Sequence, residues 1–132
     1  MDQERFEERR GEFLKAVMRL REACEQPDNS FIRDSVIQRF EFTWELAWKL
    51  MKLWLEHLGI NANNPRDVFK EALQAGLLSD GNAWSELQKK RNLTTHTYDE
   101  ALAATVYHYI RTEGLGLLEG LAEKAKIWDP RA

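Results

Sequence analysis

From Phe31 to Leu58 the chain offers no proline and no glycine, and its apolar residues recur on more than one helical face. Val36, Phe40, Trp44, Ala47, Met51, Trp54 and Leu58 follow steps of three and four, which is one stripe of an amphipathic helix. Phe42, Leu46, Leu50 and Leu53 make a second stripe offset from the first, and Trp48 and Leu55 widen the apolar surface. Gln38, Glu41, Glu45, Lys49, Lys52 and Glu56 form the one clean polar line. The spacing predicts a helix over residues 31–58, about 42 Å long at roughly 1.5 Å per residue. A helix apolar around most of its girth has to be covered on several sides. Two sources of cover stand open: the other helices of the same chain, or the surface of a partner. Gly59 is placed to stop the helix in the left-handed conformation.

The flanking segments read as helices too. Residues 2–25 carry one stripe, Phe6, Phe13, Val17, Leu20 and Cys24, opposite a face crowded with Glu and Arg. Pro27, Asp28 and Asn29 make a turn, after which Ser30 can cap the long helix. Asn64 and Pro65 open a short helix with Val68, Phe69, Ala72 and Leu73 on its buried side, and Gly76 ends it. Leu77–Gly81 is a connector, and Asn82 caps a helix through about Asn92. The last helix runs from Tyr98 to about Lys126, weakened in its middle by Gly114, Gly116 and Gly120. Those glycines either permit close helix contact or mark an end that frays. No strand signal or repeat appears. The expected fold is all-α: an antiparallel bundle like a four-helix bundle, with a short helix pair inserted between its second and last long helices, in a single domain over residues 1–132.

Composition narrows the function classes. With 43% hydrophobic and 31% charged residues the chain is a soluble globular type, not a disordered one. A formal net charge of −3 gives no global pull toward nucleic acid, so RNA contact would need a local basic patch. One cysteine, Cys24, rules out an internal disulfide and continues an apolar stripe, as a buried structural thiol does. No apolar run is long enough to cross a bilayer, and the charged start M-D-Q-E-R-F-E-E-R-R lacks a signal-peptide core, so a cytoplasmic location is expected. His57, His96 and His108 show no metal-ligand spacing with each other or with Cys24, and no glycine-rich phosphate loop is present. No metal and no cofactor are expected.

The chemistry-bearing stretch is Arg91–Glu100, R-N-L-T-T-H-T-Y-D-E. On an unbroken helix Arg91 and His96 would stand roughly 140° apart, too far to share a ligand easily. Thr94 and Thr95 are poor helix residues, and Thr97 with Glu100 fits a capping box, so one helix should end near Asn92 and the next start at Tyr98. Arg91 then closes the first helix and His96 lies just outside the second. Arg91 also shares a face with Trp84 and Leu87, where an arginine either snorkels toward the helix dipole or has a function. An imidazole and a guanidinium at a helix N-terminus suit metal-free cleavage of a phosphodiester. His96 would move the proton and Arg91 would steady the anionic oxygens. Such a helix end disfavours the charged imidazole. Asp99 and Glu100 oppose an anion there. One histidine serves poorly as both acid and base, so two chains pairing their sites would help.

R-N-L-T-T-H-T-Y-D-E resembles the R-x4-H-x-Y signature of HEPN-superfamily proteins. F-I-R-D-S-V-I-Q-R-F-E-F-T-W-E-L-A-W-K, N-P-R-D-V-F-K-E-A and G-L-L are similar to nucleotidyltransferase substrate-binding proteins within it, over roughly Phe31 to Ile110. The resemblance implies a bundle that forms a homodimer or larger homo-oligomer and pairs with a minimal nucleotidyltransferase encoded nearby. Relatives of the HepT-like type are toxins of toxin–antitoxin pairs, some of them metal-independent ribonucleases, silenced when the partner adenylylates the motif tyrosine. Carried over, Arg91 and His96 are catalytic or RNA-binding candidates and Asn92 is a supporting polar group. Tyr98 is the binding and modification candidate. Two functions are expected from this: a subunit that binds nucleotide or RNA phosphate for a nucleotidyltransferase partner, or a ribonuclease toxin in its own right.

Overall fold

Five aspartates and asparagines decide where the helices begin. In the computed structural model, which describes all of Met1–Ala132, each accepts a hydrogen bond from a backbone N–H otherwise left unpaired at a helix start. Asp2 accepts from Arg5 at the head of α1 (Gln3–Cys24), and Asn29 from Ile32 at the head of α2 (Ser30–His57). Asn64 accepts from Asp67 in α3 (Pro65–Gln74), and Asp80 from Ala83 in α4 (Gly81–Leu93). Asp99 accepts from both Ala101 and Leu102 in α5 (Glu100–Tyr109). Three of these caps differ from the sequence reading: Asn29 replaces Ser30, Asp80 replaces Asn82, and Asp99 replaces Thr97. Each time the winning residue is an Asp or Asn within three positions, and Asp80 takes the left-handed backbone (φ 60°) that such side chains tolerate. Gly59 and Gly76 sit at positive φ (81° and 79°), as expected of helix stops.

The helices form one all-α bundle. The short turn after Cys24 folds α2 back along α1 in the most extensive packing of the molecule. α5 and α6 (Leu115–Ala125) cover α2 and α1 further, while α3 and α4 form the short inserted pair against α2. A single cluster of 33 buried residues runs through all of them, so the cover for the long helix is found mostly within the chain. Phe40, Ala47, Leu50, Met51 and Leu55 are fully buried, whereas Trp48 and Trp54 are only partly so and Leu58 and Phe31 are exposed.

The C-terminal end does not fray. Trp128 stacks on Trp54 (5.3 Å between centroids, 5° between planes), and Arg10 donates to the carbonyls of Ala125 and Trp128. The middle of the last helix widens instead into a π segment, Ile110–Gly114. There the absence of a Cβ at Gly114 matters: one would lie 3.0 Å from Cε2 of Tyr109 and 3.5 Å from Cε1 of Phe40. Gly116 and Gly120 meet nothing comparable. Cys24 is buried, which pushes its thiol up to about 11, as a structural cysteine requires.

Candidate functional site at the corner between the fourth and fifth helices

α4 stops at Leu93, and Thr94–His96 turn once more as a 3-10 helix before the chain opens at Thr97 and Tyr98. The run of threonines closes this turn. The hydroxyl of Thr94 donates to the carbonyl of Arg91 (2.7 Å), that of Thr95 to Asn92 (3.4 Å) and that of Thr97 to Thr94 (3.1 Å). Each hydroxyl thus bonds back to a carbonyl three residues earlier, and at Arg91 it joins the Thr94 backbone N–H on the same oxygen. Thr97 is spent on closing this corner, so Asp99 caps α5 and Tyr98 stands before the helix, not in its first turn.

The break expected between Arg91 and His96 is only partial. The α-helix does end between them, yet the winding continues. At about 100° per α residue and about 120° per 3-10 residue, their Cα atoms face roughly opposite sides of the local axis. Their surroundings differ accordingly. Arg91 lies over the ring of Trp44 (5.0 Å to the centroid), with Nη2 3.6 Å from Oε1 of Glu45. Its side chain is 20% exposed, and its Nε and the Nε1 of Trp44 are buried without hydrogen-bond partners. Glu45 also accepts from Nε1 of Trp48 (3.0 Å), which holds it beside Arg91. Asn92 and His96 are exposed.

His96 is brought instead to Tyr98: the rings meet edge-on at 6.1 Å and 77°. Tyr98 is 84% exposed, the most exposed large hydrophobic side chain of the protein. It borders a shallow hollow of about 330 Å³ shared with Thr97, Glu100, Arg33 and Asp34. Arg33 is positioned from two sides. It makes a two-pronged pair with Asp28 (2.8 and 3.0 Å) and lies over the Tyr107 ring (5.7 Å). That pair holds the Asp28 carboxyl below the usual carboxylate range. No group of three or more His, Cys, Asp or Glu residues is arranged to hold a metal. Glu45 and Arg33 escaped the sequence reading. Glu45 fell on the polar line of the long helix, and nothing in the order of residues tied Arg33 to a tyrosine so far along the chain.

Comparison with known proteins decides the family. Residues 8–126 match the family described as nucleotidyltransferase substrate binding protein like. This chain belongs to that family. Its relatives include the probable ribonuclease HepT of Haemophilus influenzae, 36% identical over 107 residues, covering 72% of this chain and 73% of the relative. Two solved structures share the fold. One is a Thermus thermophilus protein with a TM-score of 0.71 at 33% identity, covering 85% of this chain and 93% of the other. The second, from Haemophilus influenzae, is described as revealing the fold of a substrate binding domain of a nucleotidyltransferase. Its TM-score is 0.67 at 28% identity, with 95% and 99% of the two chains covered. The nucleotidyltransferase substrate-binding fold therefore accounts for the helical bundle. No helix of this family member is long and apolar enough to cross a membrane.

Proposed function

We propose that this protein is the substrate-binding subunit of a separate, minimal nucleotidyltransferase, and that the corner at His96–Tyr98 is what it presents to that enzyme. The observation that carries the reading is the Tyr98 hydroxyl-bearing ring, 84% exposed on a segment outside any helix. An enzyme that adenylylates a side chain must surround it, and a ring free of the bundle can enter a partner's cleft without unfolding anything. Arg33 lines the same hollow, and a phosphate left on Tyr98 by such a transfer would compete for it with Asp28. The test is mass spectrometry after incubation with the neighbouring nucleotidyltransferase and ATP. AMP added to Tyr98, and absent from Tyr98→Phe, is expected; an unmodified Tyr98 sinks the reading.

A second reading is favoured by the exposed imidazole of His96 and by the name of the Haemophilus relative: a metal-independent ribonuclease. Arg91 would grip a phosphate and His96 would move the 2′-hydroxyl or leaving-group proton. Since Arg91 and His96 leave the chain on opposite sides, one phosphate held by both would draw them from two copies in a homodimer or larger assembly. Glu45 would have to give way to the incoming phosphate at Arg91. RNA cleavage in the presence of a chelator, lost in His96→Ala and Arg91→Ala, is expected on this reading. Intact RNA with purified wild-type protein would refute it.

A further inference from the structure

The inserted helix pair carries a site of its own. α3 and α4 part to leave a groove of about 390 Å³, within the span of small-ligand sites. Its floor is apolar, made by Phe69, Leu73 and Trp84, and the Phe69 and Trp84 rings lie 5.8 Å apart. Arg66 and Lys70 stand one helical turn apart on the α3 rim. No carboxylate lines the groove, although the chain as a whole carries a net charge of −3. Neither Arg66 nor Lys70 takes part in any of the ion pairs or side-chain hydrogen bonds that hold most of the other cations, and the neighbouring Asp67 is turned to Asn64. Ser85 and Gln88 of α4 add uncharged donors and acceptors to the opposite side.

Cations left free above an aromatic floor select an anion with a planar or apolar body. Two of them spaced by one turn, about 6 Å, suit a phosphate group or a short phosphate chain better than one carboxylate. A protein partner would need about 800 Å² of surface per side, far beyond this groove, whose rim is only about 12 Å long. We propose that the α3–α4 groove binds a nucleoside phosphate, with the phosphates at Arg66 and Lys70 and the base against Phe69, Leu73 and Trp84. This site is distinct from the His96–Tyr98 corner and does not depend on the function assigned there.

The test is an NMR titration of the full chain with AMP, ADP, adenosine and inorganic phosphate. Saturable shifts of the amides of residues 66–74 and 81–88 are expected with AMP or ADP. Binding should weaken about tenfold or more for adenosine, for phosphate alone, and in the R66Q/K70Q variant, which alters only exposed side chains. Ser85→Phe, which fills the groove from an exposed position, should abolish the shifts. His96→Ala should leave them intact, so a failure at the corner and a failure at the groove are told apart. No saturation at millimolar nucleotide, shifts confined to residues 91–100, phosphate binding as tightly as AMP, or an affinity untouched by R66Q/K70Q would each overturn the assignment.

Discussion

Two interruptions divide the helical C-terminal third: the 3-10 turn and open residues of Thr94–Asp99, and the π segment of Ile110–Gly114. The first is assembled from local polar chemistry. Threonine hydroxyls close α4 and the Asp99 carboxylate opens α5, so the corner needs little from the core and leaves His96, Tyr98 and Asp99 in water. The second is assembled from packing. Gly114 lies against the Tyr109 ring and Phe40, deep in the cluster, and no side-chain cap marks its start. The contrast teaches where chemistry can sit. A break satisfied by its own neighbours leaves a run of side chains in water, whereas the break that rests on packing anchors its two ends, Ile110 and Gly114, in the core and exposes only the three residues between them.

The largest effect should come from removing what the buried break rests on. Phe40→Ala, at a fully buried position, is expected to cost about 3–5 kcal/mol in urea unfolding. Hydrogen exchange should then quicken at residues 109–115 more than at 94–99. Equal loosening at both would mean the two breaks are coupled. Gly114→Val comes next. Its branched Cβ would press on Tyr109 and is expected to cost about 1–3 kcal/mol, while an unchanged unfolding midpoint would reveal slack around that ring. At the corner, Asp99→Ala should cost about 1 kcal/mol through two lost N–H acceptors, against about 0.5 kcal/mol or less for Thr97→Ala. The opposite order would restore Thr97 as the cap.

The smallest effect is electrostatic and lies at the start of α2, across the hollow from the corner. Pairing with Arg33 depresses the folded-state pKa of Asp28, so the stabilisation is present above the ordinary carboxylate range and is lost as pH falls through the depressed value. Amide exchange of residues 28–34 should therefore accelerate in acid, and Asp28→Asn should remove that dependence.

Much of this was legible beforehand because it is local. Gly59, Gly76 and the Asn64-Pro65 pair marked helix ends by backbone preference alone, and every residue of the apolar stripe read in α1 is buried, with Ala16 and Ala23 joining that face. Which of two adjacent polar residues becomes a cap was not legible. Ser30, Asn82 and Thr97 each had an Asp or Asn one or two positions away whose side chain reaches the backbone N–H groups at the helix start. Arg91 was correctly put on an apolar face, but its companions Trp44 and Glu45 lie on a helix about a third of the chain away.

The order of residues by itself determined that this protein is helical, where its helices stop, and that Arg91–Glu100 is a polar interruption, because periodicity and backbone preference act over a few residues. Only the tertiary structure decided that Arg91 is held by Glu45 over Trp44 while His96 and Tyr98 face water, and that a π segment forms at Gly114. Those outcomes depend on which surfaces meet across the bundle, and contacts between distant segments leave no mark on local spacing.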